Sequence, residues 1–188
     1  MKTYREFGPT PATFQALAGH CVTEKNAGQL KALLASHREN FPKAKNLLTW
    51  ELETRWLNKD YQATCDMILA NRHTLLVNPG TRWKCESYLV RSLIRLQQPK
   101  EALQEAETFN RRVAGPQTLL VLALASTGDV ARTIAWLDAK NAPVYLIEDC
   151  YFDEDLGPIL RGNAFGAFRE RFPEPTRSDL RWADDGFR

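Results

Sequence analysis

At 188 residues, 44% apolar and 26% charged, the chain is long enough to bury a substantial core and too apolar for wholesale disorder. Its formal charge of +2 argues against a dedicated nucleic-acid binder and is uneven, with 19 Lys/Arg against 13 Asp/Glu in residues 1–147 and 6 against 10 in residues 148–188. The longest apolar stretch, Thr118 to Ala125, is too short to cross a bilayer, and Met1-Lys2-Thr3-Tyr4-Arg5-Glu6 lacks the apolar run of a signal peptide, so a cytoplasmic protein of one domain plus a tail is predicted.

In chain order, Thr10-Pro11 suits a helix start, and Phe14, Leu17, Ala18 and Cys21 then share one helical face. A partner helix is predicted over residues 27–40, with Leu30, Leu33, Leu34 and His37 as its stripe, and Phe41-Pro42 ends it. Residues 43–58 form the next helix, carrying Leu47, Leu48, Leu52, Arg55 and Trp56. Asp60 opens another, carrying Tyr61, Cys65, Ile68, Leu69 and Leu75 or Leu76, and Asn78-Pro79-Gly80 reads as a turn. A third pair places Trp83, Tyr88, Leu89, Leu93, Ile94 and Leu96 on its first helix and Ala102, Leu103, Ala106 and Phe109 on its second. After the break at Gly115-Pro116, residues 119–124 and 130–137 make a fourth pair. Tyr145, Leu146 and Ile147 are read as completing a helix, Asp153-Glu154-Asp155 put carboxylates at the positive end of a short one, and Phe165, Phe168 and Phe172 supply a last apolar group. Alternating Val, Ile and Thr are scarce, so the fold class is all-α.

Four segments share one theme, a small or polar turn followed by an amphipathic helix: Lys25-Asn26-Ala27-Gly28, Lys59-Asp60-Tyr61, Gln98-Pro99-Lys100 and Thr127-Gly128-Asp129-Val130. Aligning Leu30, Thr64, Ala102 and Thr133 gives spacings of 34, 38 and 31, which suit stacked helical hairpins. Paired helices, a turn bearing Gly-Asp or Pro and a small residue inside the second helix resemble tetratricopeptide repeats. Ser126-Thr127-Gly128-Asp129-Val130-Ala131-Arg132-Thr133-Ile134-Ala135-Trp136-Leu137 carries the likeness best, with Gln98-Pro99-Lys100-Glu101-Ala102-Leu103-Gln104-Glu105-Ala106 next. Thr64, Thr133 and Leu30 stand where that family has alanine. The resemblance implies a right-handed solenoid of about four antiparallel hairpins over residues 10–143, after an N-terminal extension of residues 1–9. Residues 144–172 would be capping helices, and residues 173–188, rich in Pro, Asp, Arg and Gly, read as a mobile polar tail.

Little in the sequence nominates catalysis. Cys21, Cys65, Cys85 and Cys150 lack any C-x-x-C spacing and read as buried small apolar residues. Adjacent helical residues diverge by about 100 degrees, so His20 and Cys21 do not face each other, while His37 and His73 have no triad or metal spacing. The acids Glu148, Asp149, Asp153, Glu154 and Asp155 lack the glycine and spaced oxygens of a calcium loop and suit helix starts. Gly162-Asn163-Ala164-Phe165-Gly166 has no Lys-Ser/Thr after it, so a phosphate loop is absent. Neither enzymatic activity nor a metal or cofactor is expected.

A basic helical face is more informative. Lys84, Ser87 or Tyr88, Arg91 and Arg95 recur at spacings of three and four, and Arg55, Trp56 and Lys59 extend the surface. In tetratricopeptide repeats the first helices line a concave groove that holds an extended peptide, so these residues are the predicted partner-binding set, suited to an acidic segment. Asn46 and Lys84 alone do not reproduce the family's clamp for a chaperone tail, and Glu53 and Trp56 occupy that surface. Reversing the charges of Arg91 and Arg95 is expected to weaken partner capture with little loss of stability. Trp50, Trp56, Trp83 and Trp136 read as wedges between hairpins, and Leu180 with Trp182 as an anchor in the tail. The expected function is non-catalytic binding of another protein's segment in the concave groove, with no membrane partner. The alternatives are a helical-repeat protein that places Arg111 and Arg112 on nucleic-acid phosphates, or the accessory subunit of an enzyme complex.

Overall fold

The computed structural model describes residues 9–77, 79–112 and 117–175. Among these residues all regular structure is helical, and by internal packing the chain divides into two compact units, Met1–Leu96 and Gln97–Arg188. The predicted tail anchors Leu180 and Trp182 lie outside the described residues.

The first unit holds α1 (Pro11–Thr23), α2 (Ala27–Asn40), α3 (Leu47–Leu57), α4 (Tyr61–Ala70), the single turn α5 (Arg72–Leu75) and α6 (Pro79–Arg95). Neighbours in the chain are neighbours in space: α1 packs on α2, α2 on α3 and α3 on α4, while α6 lies against α4. Phe14, Ala18, Cys21, Leu30, Leu33, Leu34 and Trp50 form the core of the first two pairs, and the His37 ring stacks on Phe14 at 3.8 Å. Burial holds the His37 imidazole below its ordinary value, as expected of a core histidine.

The second unit holds α7 (Pro99–Arg112), α8 (Gln117–Ser126), α9 (Val130–Ala139), α10 (Val144–Phe152), α11 (Leu156–Arg161), a 3₁₀ turn (Asn163–Phe165) and α12 (Gly166–Arg171). Every residue of α8 from Leu119 to Ala125 is buried, because α7, α9, α10 and α11 all pack on it. A helix apolar all round is stable only when so enclosed.

The recurring turn has a physical basis. Lys25, Lys59, Gln97 and Gly128 all have positive φ, between 52° and 77°, and follow one another at the same 34, 38 and 31 residues as the sequence theme. The residue after three of them caps the next helix: Asn26, Asp60 and Asp129 accept from the backbone N–H groups of Gln29, Ala63 and Arg132. Five residues beyond each left-handed residue come Leu30, Thr64, Ala102 and Thr133, all fully buried. Thr64 and Thr133 are tolerated there because each hydroxyl donates to the carbonyl four residues back, on Asp60 and Asp129, at 2.8 Å.

Several expectations need correction. The helix predicted from residue 43 starts at Leu47, after turns at residues 42–46. Pro79 and Gly80 begin α6 rather than forming a turn, since proline suits a first helical turn. The helix opened by Asp60 stops at Ala70, where Asn71 turns its amide onto the Met67 carbonyl, and α5 carries Leu75 separately. Trp83 is no wedge: it is 56% exposed, in the first turn of α6 and on the side opposite the buried Cys85 and Ser92.

The C-terminal helices are locked by polar contacts. Asp153 accepts from the N–H groups of Asp155 and Leu156 and so caps α11, in line with the sequence reading of the acidic run. A Cβ on Gly157 would lie 2.3 Å from the Tyr151 carbonyl oxygen, so only glycine lets α11 approach the end of α10 this closely. Arg161 donates to that same carbonyl at 3.0 Å and to the Glu174 carboxylate, while the Tyr151 hydroxyl donates to the Phe172 carbonyl at 2.7 Å.

Candidate functional site

The predicted basic face of α6 exists, but its cations are tied into the fold. Its register turns Lys84, Tyr88 and Arg95 toward α3 and α4, because Cys85, Leu89 and Leu93 are buried beside them. Lys84 Nζ donates to Glu53 Oε1 at 2.5 Å, and the Tyr88 hydroxyl donates to Glu53 Oε2 at 2.7 Å. Glu53 is 2% exposed, so both of its oxygens are satisfied inside the protein. Burial pushes the Tyr88 phenol far up, and the neighbouring Glu53 charge and hydrogen bond add to the shift. The Trp56 ring stacks on Tyr88 with centroids 4.3 Å apart. Arg95 lies 5.0 Å over the rings of Trp56 and Tyr61 and donates to the Tyr61 hydroxyl at 2.6 Å. Arg91 donates to Ser87 on its own helix.

The structure therefore brings Trp56, Lys84 and Arg95 into one network but leaves Arg55 apart. Arg55 lies 3.8 Å from Asp60 and lines a different cleft, of about 310 Å³, with Lys31, Arg38 and Glu51. Reversing Arg95 would break a contact of the fold, so the expectation that this change spares stability does not survive the geometry.

Beside Lys84 opens a cleft of about 330 Å³, lined by Gln15, Lys45, Asn46, Thr49, Trp50, Glu53, Thr81 and Lys84. These residues come from α1, α3, α6 and the turn before α3, all within the first unit. Two ammonium groups, two amides and two hydroxyls face a single carboxylate that Lys84 and Tyr88 already engage. The wall is thus rich in donors, and it suits acceptor oxygens of a bound segment, above all a carboxylate. Gln15, Lys45, Thr49 and Thr81 escaped the sequence reading. Of these only Gln15 has a signal in spacing: it pairs with Asn46 across 31 residues, as Glu53 does with Lys84 across 31 and Tyr61 with Arg95 across 34.

The second unit offers a smaller cleft of about 260 Å³ between α7, α8 and α9. There Glu107 takes Arg132 at 2.6 Å and Arg111 at 3.8 Å. All four cysteines are buried, and burial pushes the thiols of Cys85 and Cys150 up to about 11 and about 12, which keeps them protonated at neutral pH. Among the described residues no three His, Cys, Asp or Glu side chains converge as a metal would require, and no helix is long and apolar enough to cross a membrane. Comparison with protein-family models, curated proteins and solved structures found no match for this chain.

Proposed function

We propose that this chain is a non-catalytic protein-interaction module of the tetratricopeptide-repeat kind, a right-handed stack of helical hairpins that holds an acidic segment of a partner protein between α1, α3 and α6. The observation that carries this reading is the cleft lined by α1, α3 and α6, with the Lys45 ammonium on its wall. Glu53 holds Lys84, and Asn46 donates to Gln15, so these parts of the wall are ordered before any partner arrives and binding loses less conformational entropy. Lys45, with no ion pair among the described residues, is the cation best placed to choose an acidic partner. A non-catalytic role draws support from the protonated, buried thiols and the enclosed His37 ring. Phosphate binding has less to draw on, because Arg111 and Arg132 share Glu107 and Arg95 is spent on aromatic rings.

Panning a displayed library of random peptides against the full chain should enrich sequences with clustered Asp or Glu. Lys45→Glu should weaken those peptides at least tenfold, about 1.4 kcal/mol, while an exposed change of this kind moves stability by no more than about 0.5 kcal/mol. Peptides without acidic groups, or affinities indifferent to Lys45→Glu, would sink the proposal.

A further inference from the structure

Helix α10 carries a second face that the groove does not use. Val144, Tyr145 and Phe152 are 59%, 57% and 69% exposed, an unusual concentration of large apolar surface on one short helix. Glu148 lies four residues after Val144, three after Tyr145 and four before Phe152, and so shares their side of the helix. Yet Glu148 is only 9% exposed, and its Oε1 is buried with no hydrogen-bond partner. Asp149 is exposed next to it. A carboxylate oxygen withdrawn from water without a donor is costly, and folded proteins keep few of them. One with apolar side chains one turn away on either side is a recessed acceptor inside a greasy frame.

The geometry points to α10 as a docking site for a segment of a partner protein that presents an arginine or lysine flanked by apolar side chains. The buried Glu148 carboxylate would turn outward to meet the cation, which supplies the donor that Oε1 lacks, with Asp149 adding to its attraction, and the flanking side chains would cover Tyr145, Phe152 and Val144. Charge complementarity selects this occupant: an acidic or purely apolar segment would leave the buried oxygen as it is and gain only surface area. Arginine fits better than lysine, because its planar guanidinium gives up water more readily and can take a carboxylate with two parallel hydrogen bonds. The required chemistry is the opposite of that proposed for the cleft near Lys45, and the two sites stand or fall separately.

The probe is again a displayed random-peptide library panned against the full chain, read with the variants Glu148→Gln, Phe152→Ser and Lys45→Glu. Expected is a family of peptides with Arg or Lys between apolar residues. Their affinity should fall at least tenfold with Glu148→Gln and with the exposed change Phe152→Ser, and stay unchanged with Lys45→Glu. The melting temperature of Glu148→Gln should rise, since the amide removes a buried charge that no donor compensates. The absence of cationic peptides, or their indifference to both α10 variants, overturns the proposal, and so does a lower melting temperature for Glu148→Gln. If such peptides bind only a chain ending at residue 175, the occupant is the protein's own C-terminal segment. If Glu148→Gln dissolves a dimer seen by sedimentation, it is a second copy. Either result rejects a partner protein as the source.

Discussion

Glu53 on α3 and Glu148 on α10 are both withdrawn from water, and the difference between them separates scaffold from surface. Glu53 meets an ammonium and a phenol from α6, and each of its oxygens has a donor within 2.7 Å. Glu148 has an oxygen with no donor and stands among exposed apolar side chains. Burial alone therefore says nothing about what a carboxylate does. A buried acid whose partners come from a neighbouring helix works as a rivet, whereas one left unmatched lowers the stability of the free protein. The same contrast runs through the cations: Arg95 is clamped between two rings, and Lys45 faces an open cleft.

The sharpest way to break this contrast is to remove the rivet. Glu53→Ala should cost about 2–3 kcal/mol, read as a lower urea midpoint at constant m value, because two charge-assisted hydrogen bonds go and the Tyr88 hydroxyl loses its acceptor. A loss below about 0.5 kcal/mol, the scale of an ordinary surface change, would mean that Glu53 is not holding α3 to α6. Arg95→Ala should cost about 1 kcal/mol by the same measurement, since one guanidinium contacts both Trp56 and Tyr61, and Arg95→Lys should recover only part of it.

The smallest effect concerns a paired carboxylate at the surface. The hydrogen bond from Arg161 holds the Glu174 carboxyl below its ordinary 4.5. A depressed carboxyl stabilises the fold fully above the unfolded value and loses that contribution as pH falls through the folded one. With both side chains 45% exposed, the contribution is at most a few tenths of a kcal/mol. Glu174→Gln should therefore slightly flatten the acid limb of a stability curve below about pH 4.5 and leave neutral pH almost unchanged.

Much of this was legible in the sequence, and the legible part is local. Helices, caps and the recurring turn follow from residues within one or two turns of each other, so Thr10-Pro11, Asn26, Asp60 and Asp129 announce their helices directly. Spacing of the apolar residues gives the buried stripes, and Leu30, Thr64, Ala102 and Thr133 fall inside as their register demands. Where the reading slipped, as at residues 43–46 and Pro79-Gly80, competing local signals were nearly balanced and packing decided between them.

Residue order within a few positions accounts for the helices and their recurring left-handed turn, because hydrogen bonds and side-chain periodicity within a helix depend on near neighbours alone. Long-range packing sets which charges on α6 are spent and which acid is left wanting. Lys84 reads as a free cation until Glu53, 31 residues away, is brought to 2.5 Å from it. Glu148 reads as one more solvated acid until packing takes it out of water without giving its Oε1 a donor. Pairing and desolvation are properties of distance in space, and the linear order of residues does not contain them.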